Sequence, residues 1–201
     1  RDCLLSRGLG DVYKRQINTD ASVATGWVSP NGKTKYYMGE DGAMAVGWCV
    51  IDGTYYFFTG SGAMHTGWLQ RFSGWYYLNE DGTMATGWKV VNGKWYYFGG
   101  KNDGAKKTYW QKVRGKYYWL GSNGVMRTGW QNVYGKYYWL GGSNDGAMKT
   151  GWQKVGGKYY LLGKNGDMKS GWQTVYGKKY YLGGANAVSY THLRAHETRG
   201  N

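Results

Sequence analysis

The side chains with the most obvious binding chemistry in this sequence are aromatic, and they recur. Trp27, Trp48, Trp68, Trp88, Trp130, Trp152 and Trp172 each follow a glycine, and Trp110 follows Tyr109 in the same series. About four residues and a dipeptide ending in glycine separate each tryptophan from an aromatic triplet, such as Trp75-Tyr76-Tyr77 or Tyr117-Tyr118-Trp119. Such rings bury large areas and present π faces that attract cations or stack on apolar surfaces. The first triplet position varies among Trp, Tyr and Lys. A purely structural position tolerates lysine poorly, so the Gly-Trp tryptophans and first triplet residues are the ligand candidates. Part of the tyrosine complement is expected to serve as core.

Catalytic and metal chemistry find little support. Outside 187–201 there is no grouping of Ser, His and Asp, no phosphate loop and no paired acids at a recurring cleft. His65 stands alone and is expected to be solvated. Asp103 and Asp145 lie in glycine-containing loops, and one carboxylate each does not make a calcium site. The cysteines, Cys3 and Cys49, are too few for a disulfide framework or a zinc cluster. The chain is read as non-enzymatic, with no cofactor and no metal.

The elements that must position the rings follow from the spacing. Successive tryptophans of the series lie 21, 20, 20, 22, 20, 22 and 20 residues apart, which makes eight tandem copies. Asp52-Gly53, Asn92-Gly93 and Ser73-Gly74 fall between short aromatic runs, a two-residue hairpin signal because both turn positions need positive φ. Bulky residues before the glycine, at Tyr134 and Tyr176, fit that turn less well. The 22-residue spacings coincide with Gly99–Gly104 and Gly141–Gly146, where the loop between hairpins gains two residues. The first copy has its extra residue at Pro30–Thr34, in a hairpin turn. The chain's 36 glycines and single proline, beside 12 tryptophans and 21 tyrosines, suit many short strands and neither long helices nor disorder. The predicted fold is all-β, a solenoid of tandem β-hairpins that stack because one hairpin alone is marginal. The middle triplet residue is tyrosine in every copy, from Tyr36 to Tyr180, which predicts one contact repeated at each junction. The methionines after each loop glycine are expected to pack there too.

Residues 17–186 form the repeat domain. Residues 1–16 and 187–201 carry neither the Gly-Trp nor the triplet and are expected to be artefactual or disordered, the array being a piece of something longer. Within 17–186 the net charge is +11, spread over the repeats and not gathered in a block. That favours polyanionic partners without specifying nucleic acid, which is not expected. No apolar run approaches the roughly 20 residues of a membrane helix, so no membrane insertion is expected.

The Gly-Trp, aromatic-triplet and Gly-x-Met signatures resemble the choline-binding, or cell-wall-binding, repeats of Gram-positive bacteria. The stretch GWLQRFSGWYYLNEDGTMATGW, ending at Trp88, reads almost as a family consensus. The resemblance covers 17–186 and implies a left-handed superhelix of hairpins with a choline between consecutive hairpins. Each choline would sit among the Gly-Trp tryptophan and first triplet residue of one hairpin and a triplet tyrosine of the next. Carried over, this gives Trp48, Tyr55 and Tyr76; Trp68, Trp75 and Tyr96; and Trp88, Trp95 and Tyr118. It also gives Trp110, Tyr117 and Tyr138; Trp130, Tyr137 and Tyr160; and Trp152, Tyr159 and Tyr180. Lys35 and Lys179 replace the first triplet aromatic in the end copies, where no site is expected, and Lys106 replaces the methionine beside one cage. The implied role is a secreted, cell-wall-associated anchor whose partner is choline-bearing teichoic acid. Similar repeats in glucan-binding and toxin receptor-binding regions make a cell-surface polysaccharide the alternative ligand.

Overall fold

The structure, a computed structural model, describes residues 23–183 and the backbone of residues 4–5; the other residues of the termini assigned above lie outside the described residues. Leu4–Leu5 (β1) pairs antiparallel with Ala45–Val46. Eight hairpins follow in chain order. The first four are Gly26–Val28 with Tyr36–Met38 (β2, β3), Ala45–Ile51 with Thr54–Phe58 (β4, β5), Gly67–Arg71 with Gly74–Leu78 (β6, β7) and Gly87–Val91 with Lys94–Phe98 (β8, β9). The second four are Tyr109–Val113 with Lys116–Leu120 (β10, β11), Trp130–Val133 with Lys136–Trp139 (β12, β13), Gly151–Val155 with Lys158–Leu162 (β14, β15) and Gly171–Val175 with Lys178–Leu182 (β16, β17). The all-β tandem-hairpin architecture is therefore the one that the spacing predicts, and both lengthened loops fall between hairpins.

The turns obey the glycine rule with one shift. Asp52-Gly53 and Asn92-Gly93 take positive φ at both positions, 49° and 71° in the first and 49° and 72° in the second. Tyr134 and Tyr176 do the same, with φ of 51° and 48°, so bulk does not change the turn. Both side chains are almost fully exposed, and the local clash of Cβ with the backbone, about 1–2 kcal/mol, is borne within the turn. Ser73-Gly74 is not the turn pair of its hairpin. Arg71 pairs with Gly74, so Phe72-Ser73 makes the turn and Gly74 opens β7.

Packing divides the described residues into two units, 23–89 with 97–106 and 90–96 with 107–183, and the boundary runs through the β8–β9 hairpin. In each unit the core is built from the residue that follows the aromatic triplet. In the first unit Phe58, Leu78 and Phe98 have no exposed surface; in the second Leu120 and Leu140 have none and Leu162 has 2 %. Each unit thus has a spine of aliphatic or phenyl side chains, where the sequence reading left the junctions to tyrosine. Cys49, 1 % exposed in the same core, is disulfide-bonded, which adds one cross-link and no framework.

Consecutive repeats are tied through the Gly-x-Met loops. The Met84 amide donates to the carbonyl of Tyr55 at 2.9 Å, and the Met148 amide to that of Tyr117 at 2.8 Å, one hairpin back. The methionine side chain in turn fills the space beside the next loop's glycine. At Gly82, with φ of 86°, an added Cβ would lie 2.3 Å from Met64 Sδ. Gly82→Ala combines left-handed strain with that overlap and is expected to destabilise by about 1–3 kcal/mol. Gly60, whose Cβ would meet nothing within 4 Å, supplies the control in urea unfolding, where Gly60→Ala should shift the midpoint far less.

The loop carboxylates add a pH dependence. Asp81 Oδ1 accepts from the Thr83 hydroxyl at 2.6 Å and from the Thr83 amide at 2.9 Å, and these bonds hold its carboxyl below the usual aspartate value. Asp167 and Asp145 are lowered the same way, chiefly by hydrogen bonds from Lys169 and Lys149. A carboxylate whose pKa is depressed on folding stabilises the fold above its unfolded value, about 4, and loses that contribution as pH falls through the folded value. The urea midpoint should therefore hold from neutral pH down to about pH 5 and decline below it. A midpoint that rises on acidification contradicts these assignments.

Candidate functional site

The register of each hairpin decides which rings share a face. Trp48 lies opposite Phe57, and Val50 opposite Tyr55; Trp110 lies opposite Trp119, and Lys112 opposite Tyr117. Because side chains alternate across a strand, the Gly-Trp tryptophan and the first and third triplet residues share one face. The middle tyrosine and the core residue after the triplet occupy the other. When hairpins stack, the tryptophan face of one copy meets the tyrosine face of the next. This two-residue alternation repeats the same kind of junction contact within each unit.

In the first unit, Trp27 meets Tyr56 at 5.0 Å between centroids and Trp48 meets Tyr76 at 5.0 Å, with interplanar angles of 67° and 66°. In the second, Trp110 meets Tyr138 at 5.1 Å, Trp130 meets Tyr160 at 4.7 Å and Trp152 meets Tyr180 at 5.4 Å, again edge to face. Tyr55 closes a third wall on Trp48 at 6.5 Å and 76°. Tyr55 and Tyr76 thus both stand steeply to the Trp48 indole and make with it a three-ring corner. In that corner Tyr55 is the outer ring, half-buried, and Tyr76 at the back is buried with its hydroxyl hydrogen-bonded to Ser73 Oγ at 2.7 Å; the equivalent first triplet residues Tyr117 and Tyr159 are each 41 % exposed.

The structure thus brings the predicted Trp and Tyr pairs Trp48–Tyr76, Trp110–Tyr138, Trp130–Tyr160 and Trp152–Tyr180 into contact. Tyr117, Tyr137 and Tyr159 lie on the tryptophan face of their own hairpins, as the alternation requires. The remaining two predicted triads draw members from both units. Trp68 and Trp75, in the first, stand 6.2 Å apart at 82°, while Tyr96 belongs to the second. Trp88 belongs to the first unit, where it packs on Tyr97 at 5.0 Å, and Trp95 and Tyr118 belong to the second.

Charge surrounds the corners. Lys112 Nζ sits 5.3 Å from the Tyr117 ring centre and Lys154 Nζ 5.5 Å from that of Tyr159, each from the facing strand. Burial first, and then the Asp167 carboxylate, push the Tyr138 phenol above its ordinary pKa, so it remains a neutral ring near physiological pH. At the Trp27 junction, where Lys35 replaces the outer ring, an open cleft of about 310 Å³ is lined by Trp27, Val28, Ser29, Lys35, Tyr56 and Asp81. No site was expected in this copy, and what forms there is a two-ring corner with one lysine and one aspartate. His65 is not merely solvated, since its Nε2 lies 3.1 Å from the Trp68 carbonyl oxygen. Asp145, set aside as a calcium ligand, pairs with Lys149.

Residues 24–68 and 65–110 match the choline-binding repeat family, and residues 108–126, 150–168 and 170–185 match the putative cell wall binding repeat. Among solved structures, CbpJ from Streptococcus pneumoniae TIGR4 is 31 % identical over 87 % of this chain and 69 % of its own, with a TM-score of 0.74. This chain belongs to the choline-binding repeat family. A second relative, choline binding protein F from Streptococcus pneumoniae, is 38 % identical over 82 % of this chain with a TM-score of 0.73, and the matched region spans 58 % of that protein. The same protein is solved in the presence of a peptidoglycan analogue, a tetrasaccharide-pentapeptide. The choline-binding domain of CbpL, also from Streptococcus pneumoniae, matches over 90 % of its length at 26 % identity and a TM-score of 0.61. No curated protein sequence matches the chain. The choline-binding repeats here carry the aromatic clusters between hairpins that the tandem spacing predicts.

Proposed function

We propose that the chain is a non-catalytic anchoring module that holds a larger secreted protein at the bacterial cell wall by gripping choline groups of teichoic acid. The observation that carries this reading is the recurrence, in both units, of a Gly-Trp tryptophan packed edge to face on the next hairpin's tyrosine. A quaternary ammonium donates no hydrogen bond, so it is held by ring faces and by contact with its methyl groups. Three desolvated rings at about 0.5–2 kcal/mol each leave a single site weak, and attachment then depends on several corners engaging one polymer. The surplus of lysine suits the phosphates of that polymer. The corners supported on this reading are those of Trp48, Trp110, Trp130 and Trp152. Calorimetric titration of the full chain with free choline tests it. Several weak, equivalent sites per chain are expected, and the absence of any choline heat contradicts the reading.

A second reading, saccharide binding, is favoured at one place. The cleft beside Trp27 offers an aromatic platform with Ser29, Lys35 and Asp81 at its margin. Stacked sugar rings use an open platform with polar neighbours, and choline uses a closed cage.

A further inference from the structure

Trp68 and Trp75, both in the first unit, make a corner of two indoles at 82°. Lys106 Nζ lies 5.5 Å from the centre of the Trp68 ring and 5.6 Å from that of Trp75. One ammonium therefore faces both walls at once, within the range over which a cation is attracted to a ring. The placement follows from the repeat. Lys106 stands in sequence where the other loops carry methionine, and its amide donates to the Trp75 carbonyl at 2.7 Å, just as the Met84 amide donates to Tyr55 one repeat earlier. The backbone bond fixes the root of the side chain beside the corner, and the long aliphatic stem carries the charge into it. Burial pushes the Lys106 amine below the usual lysine value, as a charge partly withdrawn from water requires.

We infer that Lys106 is a built-in occupant of the Trp68–Trp75 corner and closes it to external quaternary ammonium ions. The inference rests on the choline reading of the other corners and assigns this one a different state. A tethered cation competes at an effective concentration of about millimolar or more, which is enough to exclude a weakly held free ligand. The number of open sites in such an array is then set by a loop residue outside the cage triplet, with Met leaving a corner open and Lys filling it.

Two measurements on the full chain test this. By NMR, the Lys106 ε-methylene protons should lie well upfield of those of an exposed lysine, because they sit in the shielding region of two indoles; ordinary shifts overturn the inference. By calorimetry with free choline, Lys106→Met should bind one choline more per chain than the natural sequence, and Lys107→Met, one residue away, should add none. An unchanged number of sites in Lys106→Met overturns the inference while leaving the anchoring reading intact. A natural chain that binds no choline refutes the anchoring reading instead. In that case one choline gained by Lys106→Met still supports the inference, and none gained overturns it.

Discussion

A chain in which Tyr55, Tyr117, Tyr137 and Tyr159 are all replaced by Lys is expected to fold normally and to lose its retention on a choline-bearing polymer. The substitution copies what the sequence already contains, since Lys35 and Lys179 hold the same position in the end copies. It removes the outer wall of four corners and places a cation where the ligand cation would sit, which repels it. These positions are half-buried or exposed, with Tyr117 and Tyr159 each 41 % exposed, so little packing is lost. Because attachment multiplies over sites, losing four corners should lower avidity by a factor on the order of 10² or more. Far-ultraviolet circular dichroism and urea unfolding report the fold; a column or surface carrying immobilised choline reports the binding. A variant that is folded and still binds as tightly as the natural chain shows that the outer rings are not part of the site.

The second large effect lies in the spine. Leu140→Ala removes a side chain with no exposed surface and is expected to cost about 2–5 kcal/mol. Leu161→Ala provides the comparison. Leu161 is the third triplet residue, half-buried on the tryptophan face, and Leu162 immediately after it is buried at 2 %. Equal losses for Leu161→Ala and Leu162→Ala in urea unfolding contradict the assignment of the spine to the residue after the triplet.

That spine is also where the sequence was hardest to read. Strand boundaries and turns were legible because Gly-Trp and the turn glycine both mark backbone positions with positive φ, at 70° for Gly129 and 79° for Gly135. The junction contact was legible because the middle tyrosine never varies. The core residue was hidden because Met38, Phe58, Leu78 and Leu120 continue an apolar run, in which hydrophobicity alone does not mark which face is buried. Counting alternation from the middle tyrosine would have found it, since Tyr56 and Phe58 share a face.

The sites were legible as residue types and less so as occupied volumes. Lys35 reads from sequence as the loss of a cage wall, yet the Trp27–Tyr56 contact persists there and a cleft opens beside it. Lys106 reads as a missing methionine. Its reach over both Trp68 and Trp75 depends on where its backbone is pinned, and that comes from a hydrogen bond between repeats that no local pattern encodes. The turn at Phe72-Ser73 slipped by one residue for a related reason. Ser73-Gly74 has the right composition, and the pairing of Arg71 with Gly74 overrides it.

The most direct measurement is retention of the chain on a tertiary or quaternary amine matrix, with elution by free choline at constant ionic strength. Holding salt fixed is decisive, because a chain carrying +14 is repelled by a cationic surface and has no electrostatic reason to stay. Binding followed by elution with choline is the predicted result. A folded chain that passes straight through contradicts the claim that these aromatic corners are choline sites.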